Sequence, residues 1–293
     1  MRMNKIKLNV IGDPIEHSKS PVVHGMVLNA LDVPYEYEKV HVKKGGLKEY
    51  VERAIGSGVT GFNLTMPHKV DIIPYLEEID EDARLFGAVN TVKIREGKLY
   101  GYNTDARGFI LSLNSCGADV KGKNIVILGA GGVVSTLALK FAVSGAKRIV
   151  ILNRTPKKAA DICARIEKLK EEGVIDTEAE LLWNNSETST INKYIGDCHI
   201  LINATPLGMS GVEGDYTDLS FIDGLPREAL AADLIYNPSK TRFLAYAEKK
   251  GNKIMNGLGM LIGQAILADE IYLERELDVS ELFTNLLENY CEN

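Results

Sequence analysis

The sequence predicts an α/β protein with two domains, on three observations. Short apolar segments alternate along the chain with segments that have a helical spacing of apolar residues, which is typical of α/β folds. The chain has 293 residues, long enough for about two domains that each bury a core. A glycine cluster at residues 129–132 stands between a strand candidate and a helical segment, with further strands and helices on both sides. One α/β unit therefore precedes the cluster, and a second unit is built around it.

The composition is that of an ordinary globular protein, with 45% hydrophobic and 25% charged residues. A formal net charge of -6 argues against nucleic-acid binding, which needs a concentrated basic face. The longest weakly charged segment, 125–146, is interrupted by glycines and polar residues, so we expect no membrane span. The N-terminal residues lack the long apolar core of a signal peptide, which favours a cytoplasmic protein.

The four cysteines lie far apart, with no C-x-x-C pattern and no paired histidines. This spacing is not that of a metal site, so we expect no bound metal. It does not indicate a disulfide framework either, and reduced cysteines fit a cytoplasmic setting.

The first unit is predicted to contain five strands with helices between them. The strand candidates are residues 7–11, 35–40, 61–64, 92–95 and 99–102. Helices are predicted from Pro21 onward, over 47–55, after Pro67 and in the acidic segment 77–85. A hairpin signal, Glu96-Gly97-Lys98, separates the last two strands.

The second unit begins with the strand candidate 124–128 and the helix that the glycine cluster opens. Further strands are predicted at 149–152, 198–202, 231–235 and 253–255. Helices are predicted at 157–170, 244–249, 257–277 and 280–289. The segment 171–195 is rich in Glu, Asn, Ser and Thr and yields no clear element, and its Trp183 is expected to pack in the core or in a strand.

The glycine cluster predicts a dinucleotide site. Gly129, Gly131 and Gly132 allow a tight turn and a close backbone approach to a pyrophosphate, and the amides at the helix N-terminus attract its negative charge. Val134 stands where the third glycine of G-x-G-x-x-G would fall, so close packing of helix and strand must be reached differently there. The alternative is a tight turn between strand and helix without a ligand.

Two serines lie at the predicted start of the first helix. Ser20 followed by Pro21 is typical of an N-cap and a first helical residue. Ser18 and Ser20 would then place two hydroxyls beside the positive end of a helix, where a carboxylate can bind. Capping alone also explains a serine at this position, so both interpretations stay open.

Further polar residues follow predicted strands. Asn63, Thr65 and Lys69 place an amide, a hydroxyl and an ammonium group at the end of strand 61–64, and strand ends of open α/β sheets are where ligands bind. Lys69 can also be a solvated surface lysine. Asp105 is predicted to start a helix, either as an N-cap or as a site residue.

Taken in order, these motifs resemble the shikimate dehydrogenase family over nearly the whole chain. The stretches that carry the resemblance are 18–21, 63–69, 87–91, 103–105, 129–132, 153–155, 203–205 and 257–264. The resemblance implies an N-terminal α/β substrate domain, a Rossmann-type NADP-binding domain and C-terminal helices that return to the first domain. The corresponding boundaries are 1–104, 105–256 and 257–293.

The family reaction is the reversible transfer of a hydride between NADP and the C3 alcohol of shikimate, which gives 3-dehydroshikimate. By this resemblance Lys69 and Asp105 form the catalytic pair, and the division of proton transfer between them stays open. Ser18 and Ser20 would hold the substrate carboxylate. The residues that would bind the ring hydroxyls are Thr65, Asn90, Asp105, Tyr236 and Gln264.

The cofactor implied by the resemblance is NADP. NAD sites usually carry an acidic residue at the end of the second strand, whereas Asn153 stands here and Arg154 follows it, and arginine suits a phosphate. The residues expected to bind the cofactor are Gly129, Ala130, Gly131, Gly132, Val133, Asn153, Arg154, Thr155, Lys158, Thr205, Leu234 and Gly257.

Two residues depart from the family pattern. Ser135 stands where an arginine is common, and Asn256 replaces a common aspartate. Because the missing arginine would weaken the hold on NADP, NAD use stays open. The alternatives are a quinate/shikimate dehydrogenase that uses NAD or both cofactors, and a non-catalytic ligand sensor on the same fold. We expect a monomer or homodimer whose partners are small molecules, without nucleic acid or membrane.

Overall fold

The structure, a computed structural model, describes residues 5–183 and 188–291. The chain divides into two compact units, one formed by Met1–Phe109 with Leu261–Asn293 and the other by Ile110–Met260. Each unit is built around a six-stranded sheet. The last helices of the chain therefore belong to the first unit.

Strands and helices alternate through both units. The strands are β1 (Ile6–Gly12), β2 (Tyr35–His41), β3 (Gly61–Leu64), β4 (Glu78–Ile79), β5 (Thr91–Arg95), β6 (Lys98–Tyr102), β7 (Asn124–Leu128), β8 (Arg148–Asn153), β9 (Glu178–Trp183), β10 (Ile200–Asn203), β11 (Leu230–Asp233) and β12 (Lys253–Met255). The helices are α1 (Ser20–Ala30), α2 (Leu47–Gly56), α3 (His68–Asp71), α4 (Glu81–Phe86), α5 (Asp105–Ser115), α6 (Gly132–Val143), α7 (Pro156–Glu171), α8 (Thr188–Ile195), α9 (Arg242–Lys249), α10 (Leu258–Leu273) and α11 (Val279–Cys291).

The sheet of the first unit is mixed and has the order β2-β1-β3-β5-β6-β4. Strand β1 is parallel to β2 and β3, whereas β5 is antiparallel to β3 and β6. Glu96 and Gly97 connect β5 to β6 with φ values of 49° and 76°, as the tight turns of twisted hairpins require. Because β5 is antiparallel to its neighbours, its start lies at the same edge as the ends of β3 and β6. The segments that adjoin these three ends are thereby brought together.

Both faces of this sheet are covered by helices. On one face Tyr50 of α2 packs edge-on against Phe62 of β3, with ring centroids 5.1 Å apart. On the other face Tyr272 of α10 packs with Leu8 of β1. The ring of Tyr272 lies directly on Gly61, where a Cβ atom would come within 2.4 Å of it. A glycine is therefore needed at this point for the last long helix to pack on the sheet.

The sheet of the second unit has the order β12-β11-β10-β7-β8-β9, and all its neighbouring strands are parallel. The strand order reverses between β7 and β10, as in a Rossmann-type domain, so the predicted fold class is confirmed. Every residue of β7 and of β10 is buried. Continuous burial is what a parallel sheet covered on both faces requires.

The acidic segment 77–85, predicted as one helix, contains β4 followed by the short helix α4. The backbone amides of Glu77 and Asp80 donate to carbonyls of β6 at 2.8 and 2.9 Å, which fixes the start of the segment as an edge strand. The Asp80 carboxylate then accepts from the amide of Ala83 at 2.7 Å and caps α4. The cap explains why the helix begins only at residue 81.

The segment 171–195, for which no element is predicted, contains the end of α7, strand β9 and helix α8. Strand β9 pairs in parallel with β8 at the edge of the sheet, and this long-range pairing has no local signal in the sequence. The side chain of Trp183 lies outside the described residues. Helix α10 ends at Leu273 rather than at residue 277, and Glu274 follows it with a φ of 52°.

Candidate active site

Lys69 and Asp105 meet at the sheet edge where β3 and β6 end. Lys69 lies in α3, a single turn of four residues, and Asp105 is the first residue of α5. The Nζ atom of Lys69 lies 2.6 Å from Oδ2 of Asp105. The two side chains are 29% and 12% exposed, so the ion pair is shielded from most water and is still accessible to a ligand. The helix start predicted at Pro67 is present, but one turn carries little dipole, and the ion pair orients Lys69 instead.

Asn90 holds the carboxylate of Asp105 from the other side. Its Nδ2 donates to Oδ1 of Asp105 at 2.8 Å and to Oγ1 of Thr104 at 3.0 Å. Its Oδ1 accepts from the amide of Thr104 at 2.9 Å. Asn90 itself is buried. Both carboxylate oxygens of Asp105 thus receive a donor, which fixes the orientation of the group toward Lys69.

Asn103 orients the start of α5, where Asp105 lies. The sequence did not identify Asn103 as a site residue. Of the two interpretations left open for Asp105, the N-cap is wrong, because Asp105 is already the first helical residue of α5. The Oδ1 atom of Asn103 accepts from the amide of Asp105 at 3.2 Å, and its Nδ2 donates to the carbonyl of Ala88 at 2.8 Å. An asparagine two residues ahead of a helix is a recognisable turn signal that could have identified it.

The paired serines lie at the start of α1, but Ser20 is not the N-cap residue that its sequence pattern suggests. Ser20 is the first residue of the helix, and Lys19 precedes it without a side-chain cap. The hydroxyl of Ser18 accepts from the amide of Ser20 at 3.3 Å and donates to the hydroxyl of Ser20 at 3.2 Å. Both serines are half-buried. Two hydroxyls 3.2 Å apart, beside the first turn of an 11-residue helix, are close enough together to bind the same carboxylate.

Thr65 follows β3 directly and is half-buried. Its amide donates to the carbonyl of Ile11 at 2.9 Å. Its methyl group lies against Gly12, where a Cβ atom would come within 2.4 Å of it. These contacts fix Thr65 between the ends of β1 and β3, at the same sheet edge as Lys69.

Gln264 lies on α10 and is 9% exposed. Its Nε2 donates back to the carbonyl of Leu261 at 2.8 Å. The preceding residue, Gly263, lies so close to α5 that a Cβ atom there would be 2.9 Å from the carbonyl oxygen of Gly108. This close approach places Gln264 beside the helix that begins with Asp105.

The predicted dinucleotide turn joins β7 to α6 in the second unit. Gly129 has a φ of 106°, and a Cβ atom there would lie 2.9 Å from the carbonyl oxygen of Ala204. Gly131 is the N-cap residue of α6, and Gly132 is its first residue. Both are exposed, and a Cβ at Gly132 would meet nothing within 4 Å. Open space beside free helix amides is a cradle into which a phosphate fits.

The structure accommodates both departures from the usual pattern of the glycine turn, Val134 and Ser135. Val134, at the third glycine position, is fully buried in the core under α6. Ser135 accepts a hydrogen bond at 2.8 Å from Nη1 of Arg165, which α7 contributes. The neighbouring helices therefore pack through a side-chain contact, and an arginine already lies beside the first turn of α6.

The residues at the end of β8 are accessible. Asn153 is half-buried, and its Nδ2 donates to the carbonyl of Thr155 at 2.7 Å, which closes the turn into α7. Arg154, Thr155 and Lys158 are exposed. An exposed guanidinium and an exposed ammonium group at this strand end can bind an anion.

A buried network fixes Thr205 after β10. The Oδ1 atom of Asn203 accepts from the amide and the hydroxyl of Thr205 at 3.1 and 2.7 Å, and from the hydroxyl of Tyr216 at 2.9 Å. Its Nδ2 donates to Oδ1 of Asp233 at 3.1 Å, and Oδ2 of Asp233 accepts from Thr241 at 2.7 Å. Burial is the main cause that raises the pKa of Asp233 above its ordinary value. Sequence reasoning did not identify Tyr216 or Asp233, because no local pattern connects them.

Leu234 and Gly257 lie against one another at the ends of β11 and β12. A Cβ atom at Gly257 would come within 2.1 Å of the carbonyl oxygen of Leu234. Asn256, the other departure from the family pattern, accepts from the amide of Leu258 at 3.1 Å and so caps α10 as an aspartate could. Tyr236 is half-buried in the second unit.

Neither a metal centre nor a membrane span is found in the part of the chain that the structure describes. No group of three or more His, Cys, Asp or Glu side chains among these residues could hold a metal ion. None of the described helices is both long and apolar enough to cross a membrane.

The chain matches two family descriptions in succession. Residues 10–92 match the shikimate dehydrogenase substrate binding domain, and residues 112–206 match shikimate / quinate 5-dehydrogenase. The first match contains Lys69 and Asn90, and the second contains the glycine turn and Arg154.

Individual relatives are similar over almost their full length. The chain is 42% identical over 265 residues to the shikimate dehydrogenase (NADP(+)) of Alkaliphilus oremlandii, which covers 90% of each chain. The crystal structure of shikimate 5-dehydrogenase from Listeria monocytogenes, in complex with shikimate and NAD, matches with a TM-score of 0.86 and 32% identity over 98% of both chains. The ligand-free 5-ketofructose reductase of a Gluconobacter species matches with a TM-score of 0.83 and 34% identity, over 98% of this chain and 99% of that one.

Proposed function

The chain belongs to the shikimate dehydrogenase family, and we propose on that premise that it catalyses the reversible, NADP-dependent reduction of 3-dehydroshikimate to shikimate. The observation that carries the proposal is the Lys69–Asp105 ion pair, with 2.6 Å between Nζ and Oδ2. A binding module has no need of an accessible ion pair whose carboxylate is held on both oxygens. An alcohol dehydrogenase does need such a pair, because a proton must leave or reach the substrate oxygen as the hydride moves.

The proton chemistry belongs to Lys69 and Asp105. The C3 oxygen of the substrate lies within reach of both groups in this proposal. In the direction of reduction the pair supplies a proton to the oxygen, and in the direction of oxidation it removes one. Asn90 keeps the carboxylate in one orientation, so that the pair does not have to reorganise during the reaction.

Substrate recognition combines a carboxylate seat with buried polar groups. Ser18 and Ser20 hold the carboxylate through their adjacent hydroxyls, beside the positive end of α1. The residues proposed for the ring hydroxyls are Thr65, Asn90, Asp105, Tyr236 and Gln264. Recognition of this kind is selective, because an analogue without the matching hydroxyl leaves a protein group unpaired.

The residues of the second unit fit a dinucleotide with a 2′-phosphate. The open space at Gly132 and the free amides of α6 suit the pyrophosphate, and the exposed Arg154 suits the phosphate on the ribose. The residues proposed to hold the cofactor are Gly129, Ala130, Gly131, Gly132, Val133, Asn153, Arg154, Thr155, Lys158, Thr205, Leu234 and Gly257. When bound, NADPH supplies the hydride.

The experiment that tests this function follows the absorbance of the reduced cofactor with four pairings, shikimate or quinate with NADP or NAD. We expect the highest kcat/KM with shikimate and NADP. Faster turnover with quinate and NAD would move the assignment to quinate/shikimate dehydrogenase, and no turnover in any pairing would favour a ligand sensor. Because a structural relative is a 5-ketofructose reductase, 5-ketofructose with NADPH is a further substrate to assay. It lacks a carboxylate, so the paired serines predict poor turnover.

We further propose that the enzyme acts in the cytoplasm as a monomer or a homodimer. The free cysteines in the described part of the chain, Cys116, Cys163 and Cys198, are compatible with a reducing compartment. Light scattering coupled to gel filtration measures the oligomeric state, and cell fractionation tests the location.

A further inference from the structure

A tyrosine hydroxyl lies between the paired serines and the residues that hold Asp105. Tyr37 is on β2, and its hydroxyl donates to Oδ1 of Asn63 at 2.6 Å. The side chain of Ser20 interacts with the same hydroxyl and opposes the rise in the Tyr37 pKa that burial causes. Burial raises the pKa of Tyr37 well above its ordinary value, so the phenol stays neutral and keeps its proton to donate.

From Asn63 the hydrogen bonds continue to the catalytic carboxylate. The Nδ2 atom of Asn63 donates to Oγ1 of Thr91 at 3.2 Å, and Thr91 donates to Oδ1 of Asn90 at 2.9 Å. Asn90 in turn donates to Asp105 at 2.8 Å. Each of the three linking side chains is buried. Hydrogen bonds thus join Tyr37, with which Ser20 interacts, to Asp105 in one continuous path through β2, β3 and β5.

The ring of Tyr37 is held by a buried pair that the proposed chemistry does not use. His24, one turn after Ser20 on α1, stacks on Tyr37 with ring centroids 4.8 Å apart and planes inclined by 26°. The Nδ1 atom of His24 lies 2.8 Å from Oδ1 of Asp269 on α10, and both side chains are completely buried. The contact therefore ties the helix of the serines to the helix of Gln264 directly behind the ring.

We propose that Tyr37 is a positioning residue, which aligns the serines that bind the substrate carboxylate with the Lys69–Asp105 pair that acts at C3. The inference rests on the proposed function. The carboxylate is attached to the same ring that contains C3, so a fixed separation between the two protein groups sets the geometry of the reacting oxygen. A small misplacement at that oxygen is costly to the rate.

The test is the Tyr37→Phe variant, which removes the shared hydroxyl and keeps the stacked ring. We expect KM for shikimate to rise and kcat to fall, each roughly tenfold, with KM for NADP unchanged, since both ends of the path lose their alignment. The matched control is Tyr50→Phe, because Tyr50 is also buried and its hydroxyl accepts from Asn9 at 3.1 Å outside this path. It should leave both constants within about twofold. A purely structural role for Tyr37 would make the two variants alike, with lower stability and unchanged kinetics, and would overturn the proposal.

A second measurement does not depend on the folding of the Tyr37 variant. Thr91→Val interrupts the path between Asn63 and Asn90 and fits the same buried strand position. Ser20→Ala and Thr91→Val should each lower kcat/KM, and the double variant should lose less than the product of the two losses, because each breaks the same path. If the loss in kcat/KM of the double variant equalled the product of the two single losses, the proposal would be contradicted. An inactive wild-type enzyme would instead refute the proposed function itself.

Discussion

Nζ of Lys69 lies 2.6 Å from Oδ2 of Asp105, although the two residues follow different strands of the first sheet and are far apart in the sequence. They meet because β5 runs antiparallel between β3 and β6, which brings the ends of those strands to one edge. The other oxygen of Asp105 is held by Asn90. The ion pair is therefore fixed by the sheet and by a buried amide before any substrate binds.

Replacing Lys69 by alanine should lower kcat far more than it changes KM. The variant loses the ammonium group next to the reacting oxygen, and general acid–base groups contribute about 10²–10⁴-fold. Steady-state kinetics with shikimate and NADP measure the change. Lys98→Ala is the control, because Lys98 forms a similar contact with Glu77 at 2.8 Å on the exposed side of the hairpin. If the Lys69→Ala variant kept the full kcat, Lys69 would not take part in proton transfer.

Replacing Asn90 by aspartate should move the acid limb of the pH profile of kcat/KM upward. The new carboxyl group would lie where Nδ2 of Asn90 now meets Asp105 at 2.8 Å. Two carboxylates this close cannot both be ionised, so one of them keeps a proton to higher pH. The measurement is kcat/KM from about pH 5 to about pH 9 for the variant and the wild type. Unchanged profiles would mean that Asn90 does not hold the catalytic carboxylate.

Two glycines of the same turn should behave oppositely when replaced by alanine. Gly129→Ala should lower stability by about 1–3 kcal/mol, because φ is 106° and the carbonyl oxygen of Ala204 is too close. Gly132→Ala should keep full stability, since nothing lies within 4 Å of the added methyl, and should weaken NADP binding. Thermal unfolding and cofactor titration separate the two effects. Tight NADP binding by a folded Gly132→Ala variant would contradict the proposed pyrophosphate site.

Replacing Arg154 by alanine should weaken NADP binding and leave NAD binding unchanged. A charge-assisted hydrogen bond contributes about 1.5–3 kcal/mol, which corresponds to roughly 10–100-fold in affinity. Calorimetric titration with 2′,5′-ADP and with 5′-AMP measures the phosphate contribution without turnover. The control is Arg227→Ala. Arg227 is exposed and lies before the start of β11, whereas Arg154 follows the end of the parallel strand β8. Equal losses for both nucleotides would mean that Arg154 does not discriminate between them.

The sequence is sufficient for the described strands other than β4 and β9, for the glycine turn and for the residues at strand ends, because these depend on local patterns. The start of α1 shows the limit of such patterns. Ser20 has the signature of an N-cap, but Ser18 accepts the amide hydrogen bond instead, two residues earlier. The backbone conformation before the helix determines which hydroxyl accepts the amide hydrogen bond. The order of residues in the sequence does not specify that conformation.

The buried hydrogen-bond networks could not be predicted. Tyr37, Asn63 and Thr91 come from three strands, and only the pairing register brings their polar ends together. Asn203 and Asp233 are adjacent because β10 pairs with β11 at those residues. No local sequence pattern marks any of these residues as part of a hydrogen-bond network. Long-range pairing therefore supplies the part of the site that orients the predicted residues.

Asp233 predicts a pH dependence of stability with a definite sign. Burial is the main cause that raises its pKa in the folded protein, while hydrogen bonds from Thr241, Ile235 and Asn203 oppose the rise. An aspartate in the unfolded chain titrates near about 3.9. The neutral form is thus favoured by folding, so this contribution to stability is present below about pH 3.9 and is lost as the pH rises through the higher, folded pKa.

The Asp233→Asn variant keeps the shape of the side chain, but its amide cannot ionise. The variant should therefore not lose this contribution to stability as the pH rises. Urea unfolding of wild type and variant from about pH 4 to about pH 8 should show the wild type losing stability relative to the variant as the pH rises. Thr241 can accept from the new amide group, which leaves the buried contact at 2.7 Å satisfied. Asp161→Asn, at an exposed position on α7, controls for the change in net charge. A constant stability difference between wild type and Asp233→Asn over this range would show that Asp233 does not carry a raised pKa in the folded protein.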